Sequence, residues 1–331
     1  MMKLSELDKI NYFNIFLMLM SCVVAIVMPF ELFLFAYAIL GPLHYLTEIS
    51  WLHDRQYYSK GKYDGWFFLL LGILIALPVI APLLNLKSNT SGNDINHYIY
   101  LAVVGGLLFA LTKNVYFRIV GLLLAFLSFR IADNFFLFFS VFLPTLIHVF
   151  VFTALFVLYG ALKTKSRSGY ISFAVMLACP VILFLVLPGQ TDRLFSDYSL
   201  RSYSNFEAIN FYSLKYLFNI EIAKDNMIEN IYFSRTGILL MRFIAFAYTY
   251  HYLNWFSKTN VIKWHKVPKA RLVVITALWI TSISLYVYDY KIGFSCLFLL
   301  SFLHVLLELP LNVVSIRGIF QESVLLLKKN N

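Results

Sequence analysis

The chain has 331 residues, of which 60% are hydrophobic and 13% charged. Water-soluble domains carry roughly 45–50% apolar and about 25% charged residues, so this composition excludes one and describes a polytopic membrane protein. The 27 Lys and Arg against 17 Asp and Glu give a net charge of +10, which in so apolar a chain marks the loops that face the cytoplasm and does not signal nucleic-acid binding.

The first residues, MMKLSELDKI, lead into an apolar stretch with no small-residue cleavage site after it, so that stretch is expected to stay as a helix. A helix needs about 20 apolar residues to cross about 30 Å of hydrocarbon. On that rule the sequence predicts an all-α bundle of about ten spans, over residues 11–30, 31–52, 66–86, 98–111, 115–131, 134–162, 170–188, 236–256, 272–288 and 292–316. With both termini inside, the cytoplasmic segments hold 17 basic residues, whereas the short outer connections hold Lys87, Arg130 and Lys291. That asymmetry is the one cytoplasmic loops show. Residues 189–235 form the one sizeable outer segment, mixing five basic with six acidic residues. Within it 204–233 interleaves aromatic and polar residues at loosely helical spacing, which predicts an interfacial helix acting as connector or lid. No composition break divides the chain, so residues 1–331 are expected to form a single integral-membrane domain. The expected location is a bacterial inner (plasma) membrane. Cys22, Cys179 and Cys296 all lie in apolar runs, which supports neither a disulfide framework nor a zinc ribbon.

Ionisable side chains at bilayer depth cost on the order of 2.5–3.5 kcal/mol each and need a partner, a cavity or a function. Four of the seven histidines fall inside predicted spans: His44, His148, His251 and His304. Counted back from the cytoplasmic ends of their spans, they lie roughly 8 to 21 Å from the inner boundary, a common depth band. His44 is followed by Glu48 and His304 by Glu308. At i and i+4 each pair presents an imidazole and a carboxylate on one helix face. Either carboxylate suits a metal directly or accepts the other ring N–H of a ligating histidine, and sequence leaves both roles open. Asn254 shares a face with His251, and His148 follows Pro144 by one turn, where a kink would open the helix toward a cavity. The four histidines are the predicted metal ligands, with Glu48, Glu308 and Asn254 as candidate catalytic groups. His53, His97 and His265 fall in loops or at their edges. The His53-Asp54 pair at the cytoplasmic edge is a weaker candidate for a second metal or a headgroup. Arg242 is expected to snorkel outward or pair with the outer segment.

HExxH, GxSxG and GxxxxGK[ST] are all missing, as are the close histidine pairs of membrane desaturases, which removes those chemistries. Histidines spread singly over several helices, in a chain of this length without a soluble domain, resemble the Brp/Blh family of membrane β-carotene cleavage oxygenases. Where that family carries a PHG-type stretch, this chain has Gly41-Pro42-Leu43-His44. The resemblance implies that His44, His148, His251 and His304 hold iron, with O2 as co-substrate and a polyene between the helices. The leading expectation is therefore a membrane-embedded non-haem Fe(II) oxygenase acting on a lipophilic substrate. The competing readings are a proton-coupled permease with a His/Glu relay, a haem-binding membrane protein, and a structural subunit.

Overall fold

In the computed structural model 87% of the described residues are helical. The structure describes residues 5–87, 89–189, 195–223, 225–258 and 267–330, and no strand occurs among them. Lys3, Lys263, Trp264, His265 and Lys266 lie outside the described residues. The frame consists of α1 (Glu6–Val27), α2 (Pro29–His53), α3 (Asp64–Leu84), α4 (Gly92–Leu111), α5 (Val115–Leu127), α6 (Leu137–Thr164), α7 (Arg167–Leu185), α8 (Asp197–Tyr203), α9 (Glu207–Leu217), α10 (Arg235–Ser257), α11 (Lys269–Tyr288) and α12 (Tyr290–Asn330). The all-α expectation holds.

Among the described residues eight helices are long and apolar enough to cross a membrane: α1, α2, α3, α4, α6, α7, α11 and α12. The other two stretches read as spans fall on α5, with 13 residues, and on α10, with 23. Two arginines, several tyrosines, His251 and Asn254 reduce the hydropathy of α10. Yet 17 of its 23 residues are buried, so its surroundings are protein, and its polar groups are met by side chains instead of lipid. Burial separates the remaining spans in the same way. The most apolar stretches of α2 and α12 are 67% and 56% buried against 17% for α11, which marks α2 and α12 as inward helices and α11 as a lipid-facing one.

Helix starts follow from short polar residues that satisfy the first exposed N–H groups. Ser5, Ser91, Asn114, Ser166 and Ser234 accept from the first turns of α1, α4, α5, α7 and α10. At α4 Asp94 returns a bond to the Ser91 backbone and closes a capping box.

One compact unit comprises Met1–Leu40, Thr145–His265 and Glu322–Asn331. Here α1, α7 and the first turns of α2 pack on α10, and α7 also meets α1 and the Thr153–Thr164 half of α6. A polar seam joins α1 to α10: Asn14 Oδ1 accepts from Tyr250 Oη at 3.3 Å and from Ser257 Oγ at 2.9 Å. Arg242 does not snorkel. It is 3% exposed and donates to the Val186 carbonyl at 2.5 Å, supplying a cation and a donor where α7 ends.

The stretch 204–233 is not one helix. α9 ends before Asn219, whose φ of 53° is left-handed, and a π turn follows at Glu229–Phe233. Tyr203, Leu214 and Tyr232 are buried against the unit, with Phe33 meeting Tyr203, Phe206 and Tyr248 edge-on at 5.2, 4.9 and 4.9 Å. Glu31 accepts from Ser196 N and Ser199 Oγ at 2.7 and 2.6 Å, fixing the start of α8.

The other unit comprises Gly41–Pro144 and Lys266–Gln321. In it α3 packs on α4, α4 on α5, and the Gly41–His53 part of α2 on α11. Asp54 receives Arg271 Nη1 on both oxygens, at 2.8 and 2.7 Å. Gly106 lets α12 approach α4 closely: a Cβ there would lie 2.7 Å from Leu309 Cβ. Asp64, at the start of α3, pairs with Arg118 at 2.9 Å, and their side chains are only 9% and 12% exposed. Arg118 also donates to the carbonyl of Thr112, so the pair fastens α3 to the turn between α4 and α5. Removing one partner of a buried pair strands the other charge. Asp64→Ala is therefore expected to cost about 3 kcal/mol, seen as a lower midpoint in detergent unfolding. Asp64→Leu combined with Arg118→Met is expected to restore most of it.

Candidate metal centre

His44 sits one turn beyond an irregular part of α2. Residues Ala36–Leu40 form a π turn and Gly41-Pro42 follows. π turns widen a helix and recur at functional positions. After it, Thr47 Oγ1 bonds back to the Leu43 and His44 carbonyls at 2.7 and 2.9 Å, anchoring the turn that carries the histidine. His44 is 1% exposed. Its Nε2 lies 3.0 Å from Glu48 Oε2, as expected for i and i+4 on one face.

The same unit brings α12 to this point. The His304 ring crosses the His44 ring at 5.2 Å and 87°, and Tyr45 lies beside it at 5.9 Å. Glu308, one turn further along α12, is 2% exposed and close enough to Glu48 for the two carboxylates to interact electrostatically. Thus α2 and α12 each contribute an imidazole and a carboxylate to one buried cluster. Burial and mutual repulsion disfavour ionising both carboxylates here, and a divalent cation beside them would offset that cost.

On α10, His251 is buried, and its Nδ1 lies 2.8 Å from Thr153 Oγ1. His148 meets it at 4.8 Å. His148 is held in a 16-residue π segment, Leu137–Phe152, with Pro144 one turn earlier. Proline removes a backbone donor and obstructs the regular i to i−4 ladder, and the wide π turn is the local result.

One ring nitrogen from each of His44, His251 and His304 lies within 4.8 Å of the others, and all three residues are buried. This triad is able to hold a metal ion. The donors fit such an ion in a second respect. Glu48 Oε2 stands 3.0 Å from His44 Nε2, and in the tautomer protonated at that nitrogen Nδ1 carries the lone pair. His251 Nδ1 pairs with Thr153 Oγ1 at 2.8 Å, and in the tautomer protonated at Nδ1 the Nε2 lone pair is left to coordinate. An outer hydrogen bond of this kind orients a metal-bound imidazole and raises its basicity.

The remaining residues singled out in sequence fall as follows. Asn254 is buried at the α1–α10 seam, where its Oδ1 accepts from Tyr250 Oη at 3.4 Å. His53 pairs with Tyr57 Oη at 3.0 Å, and Asp54 is bound by Arg271, so both hold the turn after α2. His97 lies elsewhere, stacked on Phe129 at 4.1 Å and bonded to Asp133 at 2.8 Å. Sequence reasoning missed Thr153. A threonine in a span is unremarkable, and only the fold pairs it with a histidine 98 positions away.

Comparison with protein-family models, with curated proteins and with solved structures finds no match.

His44→Ala, His251→Ala and His304→Ala are each expected to abolish metal retention, measured by elemental analysis of purified protein. Glu48→Gln and Thr153→Val should keep the fold and weaken metal affinity about 10–100-fold. His97→Ala should retain metal as the parent chain does, and equal retention in all six variants would contradict the ligand assignment.

Proposed function

We propose that this chain is a membrane-embedded non-haem iron oxygenase acting on a lipophilic substrate, with O2 as co-substrate. The observation that carries this reading is the triad of buried imidazole nitrogens from α2, α10 and α12 within 4.8 Å of one another. Neutral imidazoles suit Fe, Zn, Cu and Ni. The apolar surroundings favour a redox metal among these. A substrate that partitions into such a bundle consists mainly of C–H and C=C bonds, which hydrolysis does not attack. Bound Fe(II) would supply the activation of O2 that such bonds require.

The chain's own residues have separate parts in this reading. His44, His251 and His304 hold the ion, and we include His148, which meets the His251 ring edge-on, as the fourth ligand. Glu48 and Thr153 fix ring orientation. Glu308, with Glu48, gives the centre two carboxylates available to a divalent cation and able to move a proton. Aromatic and aliphatic side chains exclude bulk water, which raises the strength of every charged interaction inside. The edge-on crossing of His44 and His304 at 5.2 Å supports a bare ion in preference to a porphyrin, whose macrocycle needs a plane between its axial imidazoles. A carotenoid cleaved across a polyene double bond is the substrate that the resemblance to the Brp/Blh family implies. The inner membrane of a bacterium is the location we propose with it.

The test combines elemental analysis with absorption spectroscopy on protein purified without air, followed by O2-uptake measurements with lipid extracts. The expected result is roughly one iron per chain, no Soret band, and O2 consumption lost in His304→Ala. Zinc as the sole metal, a Soret band, or no metal across preparations would overturn the reading.

A further inference from the structure

The buried polar residues of α12 fall on one face. His304, Glu308, Asn312 and Ser315 are all buried, and their spacing at i, i+4, i+8 and i+11 confines them to an arc of about 80°. The intervening buried positions Val305, Leu306, Leu307 and Leu309 are aliphatic. Two of the four polar residues belong to the metal centre already described. Asn312 does not, and it is 4% exposed with no hydrogen-bond partner for either Nδ2 or Oδ1 among the described residues.

A buried amide without partners opposes folding, and an aliphatic side chain of the same size would be favoured where only packing mattered. Natural chains keep such costly groups where function uses them. The carboxamide offers a donor and an acceptor and carries no charge. Its complement is a neutral group able to accept or donate, namely a hydroxyl or a carbonyl. A charged headgroup at this position would find no counter-charge in Asn312 and would bear the cost of leaving water.

We propose that Asn312 anchors a hydroxyl or carbonyl group carried by the lipophilic substrate. Eight residues separate it from His304, which places it about 12 Å along α12 from the metal-binding imidazole, with Glu308 between them. This inference rests on the proposed function and narrows its substrate class: the substrate is an apolar chain bearing one neutral polar group, and the point of attack is set by its distance from that group. It adds a specificity-determining residue outside the metal centre.

Asn312→Leu tests this with two readouts that move in opposite directions. The probes are octadecatetraenol and octadecatetraene, fluorescent conjugated chains differing in one hydroxyl, titrated against protein in detergent with empty micelles as reference. The parent chain is expected to bind the alcohol roughly tenfold tighter than the hydrocarbon, and Asn312→Leu to bind the two equally. Without any probe, Asn312→Leu is expected to melt a few degrees above the parent chain, because the unpaired amide is gone. A lower melting temperature or failure to fold would mean that Asn312 has a structural partner, and would overturn the proposal. So would equal binding of both probes by the parent chain, or a preference for the alcohol that survives in the variant. The titration reads the protein whatever its metal content. Iron measured on the same samples separates the two failures: iron present without alcohol preference sinks this inference alone, whereas absence of iron sinks the proposed function.

Discussion

Ionisable side chains placed inside an apolar bundle have to be compensated there, and the rest of this structure is organised by that requirement. His44, Glu48, His304 and Glu308 are each no more than 4% exposed, and each would be expensive in lipid. Compensation comes from one another and from neighbours: Glu48 takes the His44 ring at 3.0 Å, and Thr153 takes the His251 ring at 2.8 Å. The helices that carry these groups are correspondingly the inward ones. α2 and α12 bury most of their apolar stretches, and α10, too polar to face hydrocarbon, is sheathed almost entirely by protein.

Irregular backbone accompanies two of the four histidines, His44 and His148, whereas His251 and His304 stand on continuous α-helix. A π turn precedes His44, and a longer π segment with Pro144 contains His148. Regular α-helices place side chains at fixed angular steps, so their faces are dictated by register alone. Replacing an i to i−4 ladder with a wider turn re-aims the residues after it. In a bundle whose helix positions are constrained by lipid thickness and packing, this adjusts where an imidazole points without moving the whole span.

Much of the fold was legible because the membrane imposes a simple length and composition rule. Spans over α1, α3 and α7 follow from apolar runs of about 20 residues. The pairing of His44 with Glu48 was equally legible, since i and i+4 share a face whatever the rest of the chain does. The role of Glu48 was not: whether it meets a metal or a ring N–H depends on which nitrogen faces it, a matter of three-dimensional placement. The 204–233 stretch was misread as one helix because its loose 3.6-residue pattern concealed the break that begins at Asn219. Thr153 and Asn312 carried no signal at all. One pairs with a distant histidine and the other is distinguished by an unmet amide, and neither property exists before the chain has folded.

Imidazoles from α2, α10 and α12 are placed to hold one ion together, and X-ray absorption at the metal edge of the purified protein reads their number without an activity assay. An iron edge with at least three nitrogen scatterers at about 2.1 Å and the outer-sphere pattern of imidazole rings is expected, diminished by one ring in His251→Ala. A first shell of oxygen or sulfur without imidazole, or a spectrum unchanged when His251 is replaced, would contradict that arrangement.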